Sequence, residues 1–135
     1  MQKSVAVRNA QNDAIESTIG ISAVLKLRSG AAPATVATAD SGTVVATMTL
    51  PSDWMGASAA GVKALVGTWQ DLSADAANAG GAMHWRIYAS DGTTAHLQGT
   101  VTVTGGGGEI QLDNMTIALA QRVDITAFNI TASGA

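Results

Sequence analysis

Ala82-Met83-His84-Trp85-Arg86-Ile87-Tyr88-Ala89, then Ser90-Asp91-Gly92, then Thr93-Thr94-Ala95-His96-Leu97-Gln98-Gly99-Thr100-Val101-Thr102-Val103 reads as a β-hairpin and decides the class of the fold. Apolar and polar residues alternate on both sides of an Asp-Gly turn, the period-two signature of strands with one buried face. A three-residue loop with Gly92 in the left-handed region pairs Ala89 with Thr93. That register sets Ile87 against Ala95, Trp85 against Leu97 and Met83 against Gly99. The other face gathers Tyr88, Arg86, His84, Thr94, His96 and Gln98. A two-residue loop would set Trp85 against Gln98 and mix the faces, which a half-buried sheet penalises.

Working outward, short apolar segments alternate with Gly, Pro, Ser, Asp and Asn clusters. Strands are expected over 23–28, 43–50, 62–72, 109–112 and 122–131, with 117–119 a short strand or connector. Pro51 ends the second of these because proline donates no ladder hydrogen bond. Val123, Ile125 and Ala127 share one parity, whereas Phe128 and Ile130 take the other, so a bulge near Ala127 or burial on both faces is expected. The Gly105–Gly108 run reads as a hairpin connection. Residues 4–19 carry a helical period, with Ser4 as N-cap and Gly20 as the C-terminal stop. Ala6, Val7, Ala10, Gln11, Ala14, Ile15 and Thr18 share one half of the wheel and are expected to dock; Arg8, Asn9, Asn12, Asp13 and Glu16 occupy the other half. The expected architecture is mainly β: an antiparallel β-sandwich, with the jelly roll as its closest variant, and one N-terminal α-helix. Residues 1–20 form the helix, packed on the domain or on a neighbour, and 21–135 form a single β-sandwich domain.

Composition limits function. The chain has 135 residues, 47% of them apolar, of which 26 residues are alanine. Charged residues make up 13% and the net charge is −3. A binder of nucleic acid through a basic field needs clustered Lys and Arg, which this chain lacks. There is no cysteine, so disulfides and thiolate metal sites are excluded. Met1-Gln2-Lys3-Ser4 leads into a polar helical pattern, so no secretory signal is expected. No apolar run approaches the roughly 20 residues of a bilayer span.

Catalytic motifs are equally absent. His84 and His96 sit diagonally on one hairpin face, and zinc would need a third ligand for which the hairpin offers only the turn residue Asp91. The glycine run lacks the Lys-Ser/Thr and the following helix of a phosphate loop. Ser58, in Gly56-Ala57-Ser58-Ala59-Ala60-Gly61, has neither the elbow spacing nor an oriented base. Asp40, Asp53, Asp71 and Asp75 stand in or beside turns, where aspartate serves the backbone. Trp85 belongs to the core face, whereas Trp54, in the loop after Pro51, is expected at an interface. The chain reads as non-enzymatic, with no cofactor or metal. Candidate interface residues are Trp54, Met55, Tyr88, His84 and His96.

Several stretches carry a resemblance: Ala6-Val7-Arg8-Asn9-Ala10, Asp13-Ala14-Ile15-Glu16, Ser29-Gly30-Ala31-Ala32-Pro33-Ala34, Ala39-Asp40-Ser41-Gly42-Thr43 and, longest, Met48-Thr49-Leu50-Pro51-Ser52-Asp53-Trp54-Met55. Trp85-Arg86-Ile87-Tyr88, Gly92-Thr93-Thr94, Gln98-Gly99-Thr100-Val101, Gly106-Gly107-Gly108-Glu109 and Leu112-Asp113-Asn114 extend it over nearly the whole chain. Together they resemble a family of small virion proteins of tailed bacteriophages and prophages. The resemblance implies a structural virion component, made in the bacterial host cytoplasm. A head decoration or cement protein on the phage major capsid protein is preferred, and a homo-oligomer is expected, without nucleic-acid or membrane contact. The alternative is a neck, tail or fibre-associated β-sandwich that binds carbohydrate or a receptor, with Trp54 or Trp69 and Tyr88 as a stacking platform.

Overall fold

The computed structural model describes residues 1–135. The hairpin strands are β6 (Met83–Tyr88) and β7 (Ala95–Val103), and they form the middle of a five-stranded curled sheet. Before them in the chain come α1 (Val5–Ile19), β1 (Val24–Ser29), β2 (Val44–Thr49), β3 (Val62–Ala64), β4 (Trp69–Asp71) and β5 (Asn78–Ala79). After them come β8 (Ile110–Leu112), β9 (Thr116–Ile117), β10 (Val123–Ile125) and β11 (Asn129–Thr131). The large sheet has the order β2-β1-β6-β7-β8 and curls into a half-barrel. Three two-stranded ladders, β10-β4, β11-β3 and β5-β9, are antiparallel. The molecule is therefore mainly β with one helix.

The hairpin register sits two residues from the expected one: Ile87 faces Leu97, Trp85 faces Gly99 and Met83 faces Val101. A shift of two preserves the faces, so the core side is as read from the sequence. Two local causes lengthen the loop. Asp91 accepts the N–H groups of Thr93 and Thr94 and the Thr94 hydroxyl, tying down an extended turn, and Gly92 takes φ 69° within it. Trp85 also needs a partner without a side chain, since a Cβ on Gly99 would lie 2.7 Å from its indole and 2.5 Å from a Glu109 carboxylate oxygen. Gly99→Ala is expected to cost about 1–3 kcal/mol by overpacking, read as a lower urea midpoint with an unchanged slope. An unchanged midpoint would refute this register.

The segment expected as one strand over 62–72 is broken into β3 and β4, and 122–131 is broken into β10 and β11. β3 pairs with β11 and β4 with β10, so both chains bend at the same level, and Phe128 turns inward at the break. The glycine run is not a hairpin connection, because β8 lies parallel to β7, with Val101 beside Ile110. The chain doubles back over only six residues. A Cβ on Gly106 or Gly108 would come within 2.7 Å of Thr102 or of the Thr100 carbonyl, so the return path admits no side chains there.

One apolar cluster fills the half-barrel. Its aromatic spine runs from Trp85, edge-on to Phe128 at 5.2 Å, through Trp69 at 5.4 Å to Trp54 at 6.0 Å. Helix α1 ends where its caps predict: Ser4 Oγ accepts the Val7 N–H, and Gly20, at φ 89°, returns its N–H to the Glu16 carbonyl.

Its docked face is only partly the expected one: Ile15 packs against the core, but most of that half of the wheel faces outward. Ala6, Val7, Ala10, Gln11, Ala14 and Thr18 are exposed, Val7 by 49%, whereas Asn12 is buried and Arg8, Asn9 and Glu16 are half-buried. The reason lies in the segment 55–63, where the Met55 and Gly61 N–H groups and the Ala60 carbonyl have no backbone partner and must be satisfied when covered. The polar side of α1 supplies the partners. Arg8 donates to the Ala60 carbonyl, Asn12 to the Gly61 carbonyl, and Asn9 and Glu16 accept the N–H groups of Gly61 and Met55.

Candidate functional site

Four of the five expected interface residues lie inside the molecule. Trp54, Tyr88, His84 and Met55 are all at most 2% exposed, and only His96 is partly open. Trp54 is drawn in by its indole N–H, which donates to the Gly20 carbonyl at 3.0 Å and so ties the 52–61 loop to the end of α1. Met55 bridges to Leu65. His84 and Tyr88 do lie on the polar face of the hairpin, but the chain's own segment 30–42 covers that face.

The cover is fastened by a charged latch. Asp40 receives Arg28 at 2.8 Å, Arg86 at 2.5 Å and the Tyr88 hydroxyl at 2.9 Å. Arg28 also donates to the carbonyls of Ser41 and Gly42, and Arg86 to those of Thr38 and Val36. Gln98 donates to the Pro33 carbonyl and His84 Nδ1 meets that of Gly30. Burial pushes the Asp40 carboxyl up, but the Tyr88 hydroxyl and the two guanidiniums outweigh it and hold the group below its ordinary range. Tyr88 is raised by burial and by its bond to Asp40, so the phenol stays protonated. Lys26 sits 4.8 Å from the Tyr88 ring centre and donates to the Gly92 carbonyl.

A second charged cluster holds the helix. Lys63, 5% exposed, reaches Asp13 at 2.8 Å and Glu16 at 2.9 Å, and Ser58 donates to Asp13. The hydrogen bonds from Lys63 and Ser58 lower the Asp13 pKa. Burial pulls Lys63 down, yet its bonds to the two carboxylates win and raise it above 10.5. Lys63→Met is expected to cost about 1–2 kcal/mol, discounted because Asp13 is open to water, and to speed amide exchange across α1 while sparing β1 and β6. The sign with pH follows from the directions. A lowered carboxyl stabilises the fold above about pH 4 and its contribution fades as pH falls through the folded value; a raised lysine stabilises below 10.5 and its contribution fades as pH rises past it. The stability gap between wild type and Lys63→Met should therefore hold at neutral pH and close above pH 10.5. A gap that persists there would remove the ion pair as its cause.

Neither cluster is built for bond-making. No group of three or more His, Cys, Asp or Glu side chains converges to hold a metal. Ser58 donates to a carboxylate that is itself paired, with no base aimed at its hydroxyl. The glycine run spends its amides internally, Gly105 on Gln111, Gly106 on Val103 and Gly108 on Thr102, so no nest faces outward. Asp71 and Asp75 close the outer edge of β2: Asp71 accepts the Thr47 N–H, and Asp75 gives its N–H to the Val45 carbonyl while accepting the Thr47 hydroxyl. These carboxylates block strand addition at that edge.

An apolar groove of about 260 Å³ runs between α1 and the start of β7, lined by Ala14, Ile15, Thr18, Ile19, His96 and Leu97. It adjoins the outward helix residues Val7, Ala10 and Ala14, and His96 is the one expected interface residue it includes. The polar residues that decide this surface, Asn12, Lys63 and Asp40, carried no sequence signal beyond turn or helix membership, because their partners lie far along the chain. In comparisons with known proteins, the chain matches no family model, no curated protein and no solved structure.

Proposed function

We propose that the protein is a non-enzymatic structural component of a bacteriophage particle, a capsid decoration or cement protein that binds across capsid subunits and stabilises the head. The docking of α1 through its polar side chains carries this reading. A helix normally buries its apolar face, but here three polar side chains and an ion pair hold the polar face inward. The face bearing Val7, Ala10 and Ala14 is left for a protein surface. The low charge fits, since surface buried against neighbours need not be solvated. The latched 30–42 segment suits a rigid part whose loops keep their shape. The sequence resemblance to small phage virion proteins supports the same reading. On this reading the protein is made in the bacterial cytoplasm and carried in the virion. The carbohydrate-binding alternative loses its platform, because Trp54, Trp69 and Tyr88 are all buried.

The test is a particle lacking this protein, challenged by heat and by osmotic shock. The expected result is genome release at a lower temperature, restored by adding the purified protein. Unchanged particle stability together with lost host adsorption would overturn the proposal.

A further inference from the structure

The edge of β7 has a feature that the fold does not use. Thr100 sends its N–H away from β6, to the Glu109 carboxylate at 2.9 Å. Antiparallel ladders alternate inward and outward groups, so the N–H and carbonyl of Gln98, two residues earlier, also point outward. The His96 carbonyl follows, since the next amide, that of Leu97, turns in toward Ile87. β8 covers β7 only from Val101 to Val103, so its ladder does not reach the outward groups of Gln98. The two edges of the sheet thus differ: β2 is closed by Asp71 and Asp75, whereas β7 carries no Asp, Glu, Lys or Arg at all over 95–103.

We propose that a second copy of this chain pairs with this edge, β7 against β7 about a two-fold axis at Leu97. The edge is self-complementary: the Gln98 N–H of each copy donates to the His96 carbonyl of the other, and the free slot from Ala95 to Gly99 accepts the same five residues in reverse. Such an axis stands perpendicular to the joined sheet and leaves both helices on one side of it. The groove already places Ala14 and Thr18 of α1 beside His96 and Leu97, so Val7, Ala14 and Thr18, on that side of the helix, face their counterparts. Small side chains let the two helices approach closely. The edge pairing and the exposed helix face thereby find one common occupant. This inference does not require the capsid role.

The experiment is sedimentation equilibrium on the purified chain, with four proteins compared. Wild type is expected to dimerise with a Kd in the micromolar range or tighter. Gln98→Pro removes the outward donor at an edge position that tolerates proline, and is expected to weaken dimerisation at least 100-fold. Gln98→Ala loses only the side-chain bond to Pro33 and keeps the dimer. Ala14→Arg, on an exposed helix position that leaves folding intact, sets like charges across the axis and is also expected to give a monomer. Wild type that stays monomeric up to about 1 mM, or a dimer that survives both Gln98→Pro and Ala14→Arg, overturns the inference. A dimer whose absence from particles changes nothing in their stability sinks the capsid role and leaves the edge pairing standing.

Discussion

Trp54→Ala is expected to lower the unfolding free energy by about 3–5 kcal/mol, the range for removing a large buried aromatic. The ring is fully buried at the end of the Trp69-Phe128-Trp85 spine, and its N–H holds the Gly20 carbonyl where α1 stops. Its loss opens a cavity against Trp69 and also frees the hinge between the helix and β1. At roughly 3–5 °C per kcal/mol for a chain of this size, the midpoint of thermal unfolding should fall by 10 °C or more. Trp54→Phe, which keeps most of the volume and loses the hydrogen bond, should recover over half of the loss. A change below about 1 kcal/mol, the range of ordinary surface substitutions, would place the side chain at the surface instead.

Asp40→Ala comes next in size, at about 3 kcal/mol. Breaking a buried ion pair costs about 3–5 kcal/mol because the surviving charge is stranded. Here two guanidiniums are stranded, Arg86 at 1% and Arg28 at 10% side-chain exposure, while the carboxylate itself is one-third open, which sets the figure at the lower end. The damage should be local as well as global. Segment 30–42 should become a protease site, because its carbonyls are held by the same arginines. Asp40→Asn keeps an acceptor for Tyr88 but not the charge, and should fall between the two. Because the folded carboxyl titrates below 3.8, the wild-type advantage should be complete above about pH 5 and vanish as pH falls through that folded value. An Asp40→Ala protein with wild-type stability and an undigested loop would show that the latch does not hold the segment.

Features set by neighbouring residues were readable without coordinates. The Ser4 and Gly20 caps, the stop at Pro51 and the sidedness of the hairpin all depend on contacts within one turn or one strand period. The hairpin register was legible in parity but not in position, since the two-residue shift comes from Trp85 needing Gly99 and from Asp91 collecting three donors. The splitting of 122–131 was half visible in the parity change at Phe128. The parallel placement of β8 was not, because a glycine run permits a tight return in either sense.

The amino-acid order was sufficient for one helix, a β-rich body and a low-charge surface, because capping, periodicity and composition act over a few residues. The direction in which the helix faces was settled in three dimensions. A wheel ranks faces by apolarity, and on that scale the alanine side goes in. The folded chain instead had the Ala60 carbonyl, the Gly61 N–H and a nearly buried ammonium at Lys63 to satisfy, and those groups lie some 50 residues from the side chains that satisfy them. Leaving them unpaired would cost more than exposing a stripe of valine and alanine. The same kind of long-range demand drew Trp54 inward and turned Asp40 from a turn residue into a latch. It left the helix face and the β7 edge as the surfaces with no partner inside the chain.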